Sequence, residues 1–347
     1  MNRKRKQIVQ SIHAITALLA VTGSICAGSA WSAPIVFSGS GTGAATALEA
    51  FRTAIGGVKN TAAAPQVGGR REINWDGVKL DGTDVSPTTV VVDPNKTVII
   101  DVDRFKGQGT LFADPYAVSG DGFASVNPGS TGQFPAFSPK NTFVMQDPNA
   151  GQFDDRFIGE SFVLAGSTTA AGTRGFGAIF LDVEDAASSS IEYFGRDANG
   201  NQVSLGTYAV PLGADGEPQF LAVLFDSPVV TDVNLTVGTN ALFNFDGTGF
   251  QSFGVENLRQ GIDLAVTDDF IFAEPTQAAL VPTPGTLALF LAGLTLFGKR
   301  VARPPSLTTL RRVLSRRAAA TANQFRCSSR SVVFPAYLAT TRQDPSH

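Results

Sequence analysis

The sequence predicts an all-β fold, an antiparallel β-sandwich, on three observations. From Arg70 onward, short runs of Val, Ile, Phe and Thr alternate with the turn-forming pairs Asp-Gly, Asn-Pro and Asn-Gly. Phe is the main aromatic residue, 26 against 2 Trp and 4 Tyr, and its flat apolar ring suits the space between two packed sheets. Residues 34–298 hold no Cys, so stability must come from a packed core and not from disulfides. No repeat of a fixed period runs through the chain, which sets aside a propeller or a β-helix.

The elements follow in order. Residues 33–65 are rich in Gly, Ala, Ser and Thr and read as a flexible lead-in with one helical island. Leu48, Phe51 and Ile55 share one helical face and Gly56-Gly57 stops the run, which predicts a short helix over 46–55. The sandwich is expected over 66–273. Strands are predicted near 71–75, 88–92, 97–102, 109–113, 116–119, 142–146 and 157–164, then near 175–183, 190–195, 203–210, 219–225, 229–237 and 262–272. Gly, Pro, Ser and Asn dominate residues 120–141, which predicts a long surface loop. The clearest hairpin pairs the run from Ser190 with the run from Gln202 across Asp197-Ala-Asn-Gly-Asn201, because Ile191 and Tyr193 alternate with polar neighbours. Residues 274–285 read as a Pro-containing linker, 286–303 as an apolar helix closed by bases, and 304–347 as a basic disordered tail.

The two ends speak of location. Arg3-Lys4-Arg5-Lys6, an apolar stretch from Ile8 to Ile25, and small residues around Ala30 to Ala33 have the three parts of a secretory signal peptide, assigned to residues 1–32 with Ser32 before the cut. Without that segment and the bases from Lys299 onward, residues 34–298 carry 13 basic against 29 acidic side chains, a net −16 hidden behind the whole-chain −3. A body so acidic repels polyanions, and nucleic acid is excluded as a partner. The two His are His13 and His347. Residues 34–298 therefore cannot build a Ser-His-Asp or Cys-His relay, nor a His/Cys zinc site.

Near the C-terminal end, Val281, Pro282, Thr283, Pro284 and Gly285 lead into an apolar run over 286–297, then Lys299, Arg300 and Arg303. Counted from Ala278 to Phe297, the apolar stretch reaches the bilayer minimum of about 20 residues, and the bases after it would stay on the cytoplasmic side. This segment resembles the PEP-CTERM sorting signal of Gram-negative bacteria, with two departures: Thr283 stands where that family carries Glu, and 44 residues follow Arg303. The resemblance implies processing by an exosortase-type enzyme, tethering at the inner membrane through the C-terminal helix during sorting, and a setting rich in extracellular polysaccharide. The body also resembles exported bacterial proteins with jelly-roll-like domains, through Gly69-Arg-Arg-Glu-Ile-Asn-Trp-Asp-Gly-Val78, Arg174-Gly-Phe-Gly-Ala-Ile-Phe-Leu-Asp-Val183 and the 191–206 hairpin. That likeness implies a jelly-roll-like sandwich and an exported location, and no activity.

Candidate ligand-binding residues are carboxylates and one aromatic. Asp268-Asp269 closes the last predicted strand, and with Glu72, Asp76 or Asp182 from other strands it would hold a calcium ion through oxygen ligands. Asp197-Ala-Asn-Gly-Asn201 has the alternate-oxygen spacing of a calcium loop but lacks a Glu at its twelfth position, which is Tyr208, and a plain Asn-Gly hairpin explains it better. Asp154-Asp155 and Glu184-Asp185 are the acid pairs that glycoside hydrolysis would invite, yet sequence neighbours on a strand face opposite ways, so each would need a distant partner. Trp75, in Asn-Trp-Asp-Gly, and Tyr193 are candidate sugar-stacking rings, with burial in the core as the competing reading. The expectation is a non-enzymatic exported protein of the cell surface or extracellular matrix, released or tethered after sorting. The alternatives are a calcium-dependent carbohydrate-binding module and a carboxylate-based glycoside hydrolase.

Overall fold

A computed structural model describes residues 32–84, 88–145 and 156–281. Residues 1–31 of the signal peptide, Asp154-Asp155, the motif from Pro282 to Gly285, the apolar run, Lys299, Arg300, Arg303 and the tail lie outside the described residues. What is described is an antiparallel β-sandwich with one α-helix. Among the described residues no helix is long and apolar enough to cross a membrane.

The larger sheet has nine strands. Its order is β1 (Ile35–Ser40), β12 (Pro218–Leu224), β9 (Gly175–Leu181), β16 (Val266–Ala273), β7 (Thr142–Met145), β6 (Tyr116–Ser119), β4 (Thr97–Ile100) and β3 (Val90–Asp93), with β2 (Arg70–Ile73) lying beside β7 along the same edge of β16. The smaller sheet runs β11 (Gln202–Ala209), β10 (Ser190–Arg196), β13 (Asp232–Thr236), β8 (Phe157–Phe162) and β5 (Thr110–Phe112). A short hairpin, β14 (Phe243–Phe245) and β15 (Phe250–Ser252), stands apart from both.

Strand periodicity sorts the side chains into two cores. On β9, Phe176, Ala178 and Phe180 enter the core between the sheets, while Ile179 and Leu181 face the other way. The second face of the large sheet is covered as well. Helix α1 (Thr42–Ile55) lays Ala44, Leu48, Phe51 and Ile55 against it, and Phe123, Phe134 and Phe243 extend that cover. All seven residues of β9 are consequently buried. In the small sheet, by contrast, β10 alternates buried with half-buried positions, because its outer face meets water. Burial of Leu48, Phe51 and Ile55 contributes roughly 1.5–3 kcal/mol per side chain, as an upper estimate.

Two expectations change here. The lead-in is no flexible arm: Ile35–Ser40 pairs with β12 as the edge strand of the large sheet, and α1 begins at Thr42 and forms the wall of the second core. Composition hid this strand, since β1 reads Ile-Val-Phe-Ser-Gly-Ser and shows no buried alternation. The helix ends at Gly56, at φ 118°, where a Cβ would sit 3.2 Å from the backbone of Gly69. Residues 120–141 form no strand, as expected, but they are not a surface loop. Phe123, Val126 and Asn127 are buried. The Asn127 amide donates to the carbonyls of Leu242 (3.1 Å) and Gly254 (2.9 Å) and its oxygen accepts from Ser252 Oγ (2.9 Å), pinning this segment to the β14–β15 hairpin. That pinning sets the geometry of the acidic site below.

Candidate functional site

The described residues singled out by sequence lie in separate acidic neighbourhoods and in the aromatic core. Opposite β9, the register of β16 shifts between Thr267 and Phe270, so Asp268 and Asp269 occupy a bulge. A bulge re-aims side chains, and here it points both carboxylates at the 120–141 segment. Asp268 Oδ2 accepts from the backbone N–H groups of Phe137 (2.6 Å) and Ser138 (3.1 Å), and Ser138 Oγ lies 3.2 Å from Asp268 Oδ1 and 2.8 Å from Asp269 Oδ1. Burial, then the mutual charge of the pair, pushes the Asp268 carboxyl well above the usual range. Burial also raises Asp269, against the pull of the Ser138 hydroxyl and the Arg52 guanidinium. Both carboxyls are thus biased towards the protonated form, in a pocket lined with protein donors.

Glu72, expected as their partner in a cation site, already has cations of its own. Its carboxylate lies 2.8 Å from Arg52 Nε, 2.7 Å from Arg70 Nε and 3.0 Å from Lys59 Nζ. Burial alone would raise this group, but the bonds from Arg70 and Lys59 and the charge of Arg52 outweigh it and hold Glu72 at about 2. Asp76 is likewise engaged, accepting from Asn141 N (3.2 Å) and Asn74 Nδ2 (3.0 Å).

Asp182 sits elsewhere. It follows β9 in a left-handed backbone conformation, φ 69°, uncommon for a residue with a Cβ. Its carboxylate gathers with those of Glu184 and Glu256, with one oxygen from each within 4.8 Å of the others. The donors are few. Gly216 N reaches Asp182 Oδ1 at 2.6 Å, Gln133 Nε2 bridges Asp182 Oδ2 (2.5 Å) and Glu256 Oε2 (2.7 Å), and Leu264 N is 3.4 Å from Glu256. The buried Oε2 of Glu184 has no hydrogen-bond partner among the described residues. Burial lifts Asp182 to about 6. Burial, a hydrogen bond to Glu184 and the charge of Asp182 together lift Glu256 to about 8. Beside the group lies a cavity of about 320 Å³ bordered by Thr131, Gln133, Asp215, Val255 and Glu256.

The chemistry available there is that of oxygen ligands short of positive charge. A divalent cation would replace the protons that Asp182 and Glu256 retain and lower both of those carboxyls. Sequence pairing offered Glu184 only with its neighbour Asp185; Gln133 and Glu256 were missed. Both lie in irregular segments joined through Asn127, and no periodic signal marks them.

Trp75 lies in the core at 1 % exposure, stacked on Phe143 with ring centres 3.9 Å apart, and with Phe105, Tyr116 and Phe270 meeting it edge-on. Its indole N–H donates to the backbone oxygen of Asp268. This packing leaves no free face for a sugar, so the stacking role expected of Trp75 is corrected to a core role. Tyr193 is equally buried and donates its hydroxyl to Phe176 O at 3.0 Å. At the β10–β11 turn, Asp197 Oδ1 accepts from the backbone N–H groups of Asn199 (2.8 Å) and Asn201 (2.9 Å), the arrangement of a plain hairpin. Of the sorting motif, Val281 alone lies among the described residues, its N–H donating to Arg196 O at 2.8 Å.

Comparison with protein-family models, with curated proteins and with solved structures found no match to this chain.

Proposed function

We propose that this chain is a non-enzymatic exported protein, sorted through its PEP-CTERM-like segment and working at the cell surface or in the extracellular matrix beside extracellular polysaccharide. The observation that carries the reading is the ordered series of Val281, Pro282, Thr283, Pro284 and Gly285, an apolar run, and Lys299, Arg300 and Arg303, in a chain that opens with a signal-like segment. The absence of His and Cys from residues 34–298 supports a binding or structural role. The same proposal includes a jelly-roll-like arrangement of the sandwich, a membrane-crossing helix within 286–303, and an exosortase-type enzyme as processing partner. An epitope inserted at the exposed Asn199-Gly200 turn tests it. The tag should be reachable from outside intact cells, and removal of residues 286–303 should shift the protein from the membrane fraction to the soluble exported fraction. A tag confined to the cytosol would end the proposal.

A second reading, a calcium-dependent carbohydrate-binding module, is favoured by the Asp182, Glu184 and Glu256 group. Calcium is the cofactor such oxygen ligands suit, and its binding would hold the residues just after β9 to Glu256, just after β15, beside the cavity. Thermal unfolding with calcium and with a chelator decides it: a melting point indifferent to both removes this reading.

A further inference from the structure

The segment joining the sandwich to the sorting motif, residues 274–281, is zipped onto the body. Glu274 N donates to Gly69 O (3.0 Å), Thr276 exchanges two bonds with Gly172 (2.9 and 2.8 Å), Ala279 N donates to Pro228 O (2.8 Å) and Val281 N to Arg196 O (2.8 Å). Glu274 is further anchored in a buried two-point ion pair with Arg71, at 2.6 and 2.8 Å. The strap leaves the end of β16, crosses the residues before β9 and those between β12 and β13, and reaches the end of β10 in the small sheet. It thereby joins both sheets at one end of the sandwich, with Ala279 packed against the core between them.

The body is shaped to receive it. A Cβ on Gly109 would sit 2.9 Å from Pro275 Cγ, one on Gly172 3.0 Å from Ala278, and one on Gly195 2.6 Å from Val281 Cγ2. Three glycines thus line the path where the strap comes closest. The contrast with its anchor is informative. Past Glu274, four main-chain hydrogen bonds and small side chains hold the strap, with Gln277 and Leu280 exposed. That outer part can peel while the ion pair stays closed. An enzyme that takes an extended chain into its site needs free residues on both sides of the bond it attacks, and here Val281, docked and the last of the described residues, is also the first of the motif.

We propose that residues 275–281 form an autoinhibitory strap: docked, it withholds the motif from the processing enzyme, and peeling supplies the extended approach that processing requires. This rests on the sorting reading above. The test uses the full chain in cells that process it, with Thr276→Pro, which removes the N–H bonded to Gly172, and Ala279→Asp, which keeps every N–H but sets a charge against the core. Thr276→Pro should be processed about fivefold faster, the change that loss of one net hydrogen bond brings to a docking equilibrium, and Ala279→Asp at least as much faster, because a charge set against the core costs more than one net hydrogen bond. Purified full chains are also exposed briefly to thermolysin, and the cut before Leu280 or Val281 should quicken by a similar factor. Urea unfolding of each variant checks that the sandwich remains folded.

Faster thermolysin cutting with unchanged processing overturns the strap while leaving sorting intact, provided Pro284→Ala still blocks processing. Unchanged thermolysin cutting in both folded variants overturns it too, since the strap would then not be held in solution. If Pro284→Ala is processed like the unaltered chain, the sorting reading fails and the strap's proposed role falls with it.

Discussion

Asp268 with Asp269, and Asp182 with Glu184 and Glu256, are two groups of acids in the same body, and they meet burial in opposite ways. Around the first, the bulge on β16 faces two backbone N–H groups and the Ser138 hydroxyl, which supply fixed donors although burial still raises both carboxyls. Around the second, one glutamine serves two carboxylates and an oxygen of Glu184 goes without a partner among the described residues, beside a cavity of about 320 Å³. Charge count does not separate these groups. Donor supply does: the first is met by three fixed donors, and the second shares few donors among three carboxylates.

The largest effect expected from breaking this contrast lies at Asp268. Replacing it with Ala strands the N–H groups of Phe137 and Ser138, at about 1–3 kcal/mol each, so urea unfolding should show a loss of about 3 kcal/mol. Asp268→Asn keeps an acceptor for them and should lose much less. Equal losses in the two variants would show that the pocket is not organised by those donors.

A smaller effect is expected from calcium at the other group. A cation bound only by the native state adds about 2.7 kcal/mol at a hundred times its Kd, read as a rise in Tm that Glu256→Gln removes and Asp268→Asn leaves in place. A rise that survives Glu256→Gln would place the cation elsewhere.

The smallest effect is the pH dependence. Asp182 and Glu256 have folded-state pKa values raised to about 6 and about 8, above their unfolded values. The native state therefore holds protons the unfolded chain has lost. Their contribution is fully present below about pH 4 and falls as pH rises through 6 and then 8. Each group accounts for well under 1.4 kcal/mol per pH unit, because solvent reaches the site. Glu256→Gln should flatten the fall between pH 6 and 8.5. Glu160, sealed between the sheets with its carboxyl pushed up to about 8 by burial, gives a fall of the same sign that neither calcium nor Glu256→Gln alters. Stability that climbs across this range would contradict both assignments.

Much of the sandwich was legible because its strands obey local rules. The Ser190–Arg196 and Gln202–Ala209 hairpin could be read from Ile191 and Tyr193 alternating around an Asn-Gly turn. Gly175–Leu181 was legible as an unbroken apolar run, although the reason for the run, a sheet covered on both faces, was not. Ile35–Ser40 escaped notice because an edge strand half open to water needs no apolar alternation. Asp268 and Asp269 stood out as an acid pair in an apolar strand, but the donors that satisfy them come from residues 137 and 138, far along the chain. Glu256 carried no signal at all.

By itself the sequence determined the all-β class, most strands, the short helix before the sandwich and the acidic balance of the body, since these depend on period, turn chemistry and composition within a few residues. It could nominate Trp75 and the acids but not assign them surroundings. Only the tertiary structure decided that Trp75 lies in the core, that Glu72 answers to three cations, that Asp182 joins Glu184 and Glu256, and that the strap is docked. The physical reason is range. Backbone preference and side-chain period act between neighbours, whereas desolvation, pairing and hydrogen-bond supply depend on which distant segments fold against each group.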